Sequence, residues 1–214
     1  MLANIYLHYV LDLWFEKVVK RHCKGKALLI RYADDFVCAF QYRTDAERFR
    51  QGLGKRLGKF GLALAPDKTR IHRFSRFHPS RRRRFSFLGF EFYWEVDRKG
   101  TARLKKRTSR KRLRTSMRAF KDWLKTHRHV PLHQVLALVR SKLLGHYNYF
   151  GMIGNSRSLW TFYRHVEKLL YKWLNRRSQR RSLTREKLCS VLKYFRFPEP
   201  RITERTGVLN PVLA

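Results

Sequence analysis

Ala27-Leu28-Leu29-Ile30-Arg31-Tyr32-Ala33-Asp34-Asp35-Phe36-Val37-Cys38-Ala39-Phe40 is the stretch whose reading decides the fold. Residues 27–32 and 36–40 are apolar runs of strand length. Only Ala33, Asp34 and Asp35 lie between them, the length of a tight hairpin connection. The spacing predicts a β-hairpin with two carboxylates at its tip. Adjacent carboxylates repel unless a positive charge offsets them. Mg²⁺ does so: it takes hard oxygen ligands and is usually held by one or two carboxylates together with substrate phosphates. Asp-Asp pairs are also common as solvated turn residues, so this pair takes its meaning from its surroundings.

Before the hairpin, Ile5, Tyr9, Leu13 and Val18 recur near helical spacing, and Gly25 then breaks the chain. After it, Thr44 and Glu47 have capping-box spacing, Phe49, Leu53 and Leu57 share one helical face, and Gly61 ends the helix. Residues 62–65 read as a short strand, Pro66-Asp67 as a turn and residues 70–74 as a strand. Residues 85–92 read as another strand, with Gly89 inside it, and Lys99-Gly100 marks a second hairpin turn. Residues 1–100 thus read α-β-β-α-β-β-β, a small α+β unit.

Beyond Gly100 the pattern turns helical. Leu113, Met117, Phe120 and Leu124 lie on one face. Pro131 opens a second helix carrying Leu132, Val135, Leu136, Val139 and Leu143. Asn155 or Ser156 caps a third, with Leu159, Phe162, Val166, Leu169 and Trp173 inward, and Thr184 starts a shorter fourth. An all-α bundle with a basic outer surface is expected. The expected division is 1–105, 106–197 and a C-terminal tail over 198–214.

Charge narrows the partners. Fifty Lys and Arg stand against 15 Asp and Glu, a formal net charge of +35 in 214 residues. Such self-repulsion favours a polyanionic partner, and nucleic acid is the first candidate, since neutralised phosphates release counterions. A membrane surface is disfavoured: the basic residues are spread along the chain among aromatics such as Trp94, Trp123, Tyr147 and Trp173. With 43% hydrophobic residues the chain is too apolar for a disordered basic tail. No apolar run approaches the roughly 20 residues of a membrane span, and the Met1 segment lacks a signal-peptide pattern. Cys23, Cys38 and Cys189 form no Cys-x-x-Cys pair, which suggests a reduced, cytoplasmic compartment.

The ordered motifs resemble the C-terminal part of group II intron reverse transcriptase/maturases. Leu2-Ala3-Asn4-Ile5-Tyr6-Leu7-His8 resembles the palm segment that follows their Pro-Gln-Gly signature. Arg31-Tyr32-Ala33-Asp34-Asp35-Phe36 resembles their catalytic motif, and residues 62–71, with Lys68-Thr69-Arg70, the next palm motif. Phe87-Leu88-Gly89-Phe90 resembles the last palm motif, which helps place the primer end. Residues 143–150, Asn155-Ser156 and residues 170–177 resemble the maturase-specific thumb, domain X. The resemblance runs from Leu2 to about Glu204.

It implies an RNA-directed DNA polymerase palm in which a primer 3′-hydroxyl attacks the α-phosphate of a deoxynucleotide on an RNA template. Asp34 would be the metal-binding aspartate of a two-Mg²⁺ site and Asp35 its neighbour. Tyr32 and Ala33 would lie under the primer terminus, with Leu88 and Gly89 also on the primer side. Lys68 would sit near the triphosphate or the template–primer backbone. The thumb would hold the template–primer duplex and intron RNA.

The family's fingers, Pro-Gln-Gly segment and earlier palm aspartate do not precede Leu2. The chain is therefore expected to supply only part of the metal site and to be inactive as a polymerase alone. No paired Cys-x-x-Cys motif follows the thumb, so a His-Asn-His endonuclease activity is not expected.

Further candidates are basic or aromatic. Arg81, Arg82, Arg83 and Arg84 form either a solvated loop or a phosphate contact. Arg176, Arg177, Arg180 and Arg181 form a second cluster suited to RNA backbone. Lys142, His146 and Tyr147 are candidate RNA contacts, although aromatics at helix ends more often belong to the core. His127, His129 and His133 are read as surface histidines rather than a zinc site. Two functions follow: a polymerase palm with thumb, or a non-catalytic RNA-binding maturase-type splicing factor or inactive remnant. RNA, a DNA primer and deoxynucleotide triphosphates are the expected partners, with no membrane.

Overall fold

The structure is a computed structural model, described here over residues 2–80, 82–177 and 183–204. The chain is helical without a break from residue 2 to residue 22. It passes through α1 (Leu2–Leu7), π-helical stretches at His8–Asp12 and Phe15–Val19, and α2 (Lys20–His22).

Strands β1 (Ala27–Tyr32) and β2 (Asp35–Phe40) pair antiparallel, with Tyr32 opposite Asp35. Asp35 therefore belongs to the strand, and the connection is Ala33-Asp34 alone, one residue shorter than the spacing suggested. α3 (Arg43–Gly58) follows. Its N-cap position is Tyr42, which makes no side-chain cap, so the capping box expected at Thr44 does not form. Buried Asp45 instead accepts the Lys24 and Gly25 amides at 3.0 and 3.2 Å, fastening the turn before the hairpin to the first turn of α3.

Val10, Leu11, Phe15, Val19, Phe49, Leu53 and Leu57 form the core of this part. One face of the hairpin packs on it through Ala27, Leu29, Phe36, Cys38 and Phe40. The other carries Leu28, Ile30 and Tyr32, all exposed.

Residues 62–65 and 70–74 are not strands. Leu62 and Leu64 alternate toward the core as a strand would, but among the described residues no neighbouring strand takes up their backbone groups. Within the turn that follows, the Lys68 and Thr69 amides donate to the Ala65 carbonyl, both at 3.1 Å.

The second sheet has the order β3-β4-β5: β3 (Arg84–Phe87), β4 (Phe90–Val96) and β5 (Ala102–Thr108). The single strand expected over 85–92 is folded in two. Leu88 and Gly89 both have positive φ, 49° and 80°, and Phe87 pairs with Phe90 across them. A two-residue hairpin turn with left-handed backbone at both positions follows the right-handed strand twist. Gly100 (φ 78°) lies in the β4–β5 turn, where Lys99-Gly100 was expected to reverse the chain. The expected division at 105/106 falls inside β5.

Helices α4 (Arg110–His127), α5 (Leu132–Phe150), α6 (Ser156–Leu174) and α7 (Arg185–Tyr194) build the bundle. Ser109 and Thr184 cap α4 and α7, accepting the amides of Arg112 and Lys187. Asn155 occupies the N-cap position of α6 without capping it. Its side chain accepts the Thr108 amide at 2.8 Å and donates to Thr108 Oγ1 and to the Phe150 carbonyl. One buried amide thus joins the end of β5 to the α5–α6 junction.

Residues 198–204, expected to begin a tail, lie against the bundle as a strap. Tyr147 donates its hydroxyl to the Pro198 carbonyl, and the Thr203 amide donates to the Gly151 carbonyl at 2.7 Å. Glu204 accepts the Ile153 amide and pairs with Lys106 of β5. A Cβ at Gly151 would collide with the Tyr147 carbonyl and the Thr203 side chain, so the strap fits only over a glycine. Among the described residues no helix is long and apolar enough to cross a membrane.

Candidate active site

The tip of the β1–β2 hairpin is built on an inward-facing arginine. Side chains along β1 alternate, placing Ala27, Leu29 and Arg31 on the helix side. A guanidinium there needs partners. Arg31 Nε and Nη2 donate to the two carboxylate oxygens of Asp12 at 2.8 and 2.7 Å. Its Nη1 donates to the Ala33 carbonyl at 2.8 Å and to Asn4 Oδ1 at 3.2 Å. The arginine fork holds the Asp12 carboxyl below the usual carboxylate range, outweighing the burial that pushes the other way.

Ala33 has φ 53°, a left-handed backbone uncommon for a residue with a Cβ. Beyond it Asp34 and Asp35 are both exposed, as is Tyr32 at 66%. Neither aspartate makes an ion pair with the described residues, which also hold no group of three His, Cys, Asp or Glu able to take a metal ion. Two exposed carboxylates fit a Mg²⁺ that keeps water and phosphate as its other ligands. Asn4 and Asp12 were missed in the sequence. The available signal was Arg31 itself, a charge at the inward position of an apolar alternation.

The Leu88-Gly89 turn is docked on the bundle. Tyr149 donates its hydroxyl to the Leu88 carbonyl at 3.1 Å, and the Ser109 amide donates to the Gly89 carbonyl at 2.9 Å. A Cβ on Gly89 would stand 3.4 Å from Arg112 and 3.7 Å from Phe150. Lys68 is exposed on its own turn.

The basic candidates divide. Arg82 and Arg83 are exposed, whereas Arg84 lies on β3, its Nε 3.8 Å from Glu91, which Arg107 engages at 2.9 Å. Arg81, Arg180 and Arg181 fall outside the described residues. Arg176 and Arg177 are exposed at the end of α6. Arg128, Lys172 and Arg176 stand 5.4, 5.8 and 5.2 Å from the Trp173 ring centre, and Arg177 donates to the Val130 carbonyl. The fold thereby joins the α4–α5 loop to the α6 end in one cationic surface. Lys142 is exposed, its Nζ 4.6 Å above Trp123.

Two RNA-binding candidates are corrected. Tyr147 is wholly buried four residues after Leu143, so its ring is core. His146 stacks on Phe162 at 3.9 Å and packs on Phe150 at 4.7 Å. Burial, then the nearby Arg112 charge, pushes its pKa down to about 4, which leaves it a neutral packing residue at pH 7. Tyr149 is the exposed aromatic of this stretch, and it is committed to Phe90 and Leu88. His127 stacks on Trp123 at 4.7 Å.

Residues 1–92, somewhat under half of the chain, match the family described as reverse transcriptase (RNA-dependent DNA polymerase). The matched span contains the hairpin tip, the Lys68 turn and the Leu88-Gly89 turn. No curated protein matches the chain.

Proposed function

We propose that the chain is the palm-end and thumb portion of a group II intron reverse transcriptase/maturase. In this reading Asp34 and Asp35 present carboxylates for Mg²⁺, which when bound supplies the positive charge that phosphoryl transfer needs. Tyr32 and Ala33 underlie the primer terminus, Lys68 meets triphosphate or backbone phosphate, and the Leu88-Gly89 turn supports the primer strand. The bundle over residues 106–197 grips template–primer and intron RNA, with Arg82, Arg83, Lys142, Arg176 and Arg177 as phosphate contacts and Arg81, Arg180 and Arg181 continuing the same clusters.

The observation that carries this reading is the exposed carboxylate pair at a strained hairpin tip, inside the span that matches reverse transcriptases and followed by a strongly basic bundle. The test is primer extension on an RNA template by a polypeptide joining this chain to a fingers-and-palm segment. Asp34→Ala should abolish extension and leave RNA affinity intact; unchanged extension removes Asp34 from its role. RNA binding by the chain itself should weaken steeply between low and moderate salt.

A second reading, an RNA-binding splicing factor without polymerisation, draws on the cationic surface around Trp173, which is formed without any contribution from the hairpin. It expects splicing assistance to survive Asp34→Ala and to fall with Arg176→Ala.

A further inference from the structure

We infer that Arg31, oriented by Asp12, is the positioning residue of the hairpin tip: it holds Ala33 left-handed and so fixes the backbone from which Asp34 and Asp35 extend. The functional meaning of this rests on reading the tip as a metal-binding turn; the positioning itself does not.

Three observations converge. The first is need. A two-residue hairpin turn with positive φ at its first central position normally places glycine there. Here that position is Ala33, at φ 53°, which glycine would adopt without help and alanine adopts only under constraint. The second is reach. Arg31 Nη1 donates to the carbonyl of Ala33, the strained residue, at 2.8 Å. A plain tie between helix and hairpin would use Asp12 and stop there. The third is orientation. The Nε and Nη2 edge is fixed by the bidentate Asp12 pair, and Asn4 Oδ1 takes Nη1 from the other side. The side chain is only 14% exposed, so water has little chance to replace these partners. A planar fork seated in this way points its remaining donors in set directions, which a lysine ammonium does not.

Asp12 in turn closes the π-helical stretch His8–Asp12, whose Val10 and Leu11 are core residues. Irregular helical turns of this kind recur at functional sites. The order of support runs from the π-turn to Asp12, to Arg31, to the Ala33 carbonyl and the tip.

The test is NMR of the isotope-labelled 214-residue chain, with Mn²⁺ as the metal probe. In the wild type Ala33 should show the strong intraresidue amide-to-Hα signal of a positive φ. Mn²⁺ should broaden Asp34 and Asp35 before other amides. Arg31→Ala and Asp12→Ala should both weaken the Ala33 signature and raise the Mn²⁺ concentration for half-broadening of Asp34 by about fivefold or more. Asp12→Asn keeps an acceptor but loses the charge and should fall between. Asn4→Ala removes one partner of Nη1 and should shift both readouts in the same direction but by less than Asp12→Ala, and RNA affinity should stay within twofold throughout.

Retention of the Ala33 signature and of the Mn²⁺ midpoint in both alanine variants overturns the proposal. Should Arg31→Ala unfold the hairpin, Asp12→Asn decides by the same readouts. A wild-type chain that shows no Mn²⁺ broadening defeats the metal-turn reading alone, because the Ala33 signature still reports whether Arg31 positions the turn.

Discussion

The two hydrophobic cores are closed in different ways. The first, around Phe15, Phe49 and Leu53, is drawn from a short span of sequence and covers one face of a two-stranded hairpin; Leu28 and Ile30, on the opposite face, are 43% and 52% exposed. The second takes Phe90 from the three-stranded sheet, residues from all four bundle helices and Phe197 beside the strap. The exposed carboxylates sit on the less enclosed of the two. Local stability follows buried contact, so the tip belongs to the part of the molecule that opens more readily, while the basic surface of the helices belongs to the part that opens last.

The largest test of that contrast is Leu143→Ala in the wholly buried centre of the bundle. It should cost about 3–5 kcal/mol by cavity formation, read as a lowered urea midpoint for bundle amides, with hairpin amides unaffected. Equal loss in both parts would show that they unfold as one unit. Leu53→Ala should do the reverse, lowering protection around Phe15 and Phe49 only.

Next comes pH. His146 has a folded pKa near 4 against an ordinary 6.5, so the fold holds the neutral ring. That stability is full above about pH 6.5 and drains away as pH falls toward 4, by at most about 3 kcal/mol. Urea midpoints of the bundle across this range measure it, and His146→Phe should flatten the dependence.

Asn155→Ala removes the buried amide that joins β5 to the helices and strands the Thr108 amide. A loss of about 1–3 kcal/mol is expected, with faster hydrogen exchange at Thr108. The smallest effect belongs to Glu204. Its carboxyl is held below the ordinary value chiefly by Lys106, so its contribution is present above about pH 4.5 and is lost as pH falls through the lower folded value. Being partly exposed, the pair should contribute under about 1 kcal/mol. Glu204→Gln should remove that pH dependence of the denaturation midpoint and leave the hairpin unchanged.

Where the sequence was legible, one physical period dominated. The bundle helices announce themselves through residues such as Leu136, Leu143, Val166 and Trp173 at helical spacing, all of which are core. The hairpin announces itself through two apolar runs around a short polar gap. What stayed hidden depended on partners far away in the chain. Leu88 does not look like a turn residue, and it turns because Tyr149 and Ser109 hold that backbone from the bundle. Tyr147 was open to either RNA contact or core packing, and it is core because the distant Pro198 carbonyl takes its hydroxyl. Leu62 and Leu64 have the alternation of a strand and, among the described residues, no strand to pair with. At the candidate site, Asp34 and Asp35 were visible as a motif, while the Asp12–Arg31 support spans 19 residues and has no local pattern.

The strap has a consequence for how the chain is made. Every residue that builds the first core has left the ribosome once residue 64 is clear, so the hairpin can form while synthesis continues. The bundle cannot be finished until Phe197 and Thr203 emerge, on the order of ten seconds later at ordinary elongation rates. During that interval the nascent chain already displays its carboxylate tip, while the basic helices still lack the segment that closes their core.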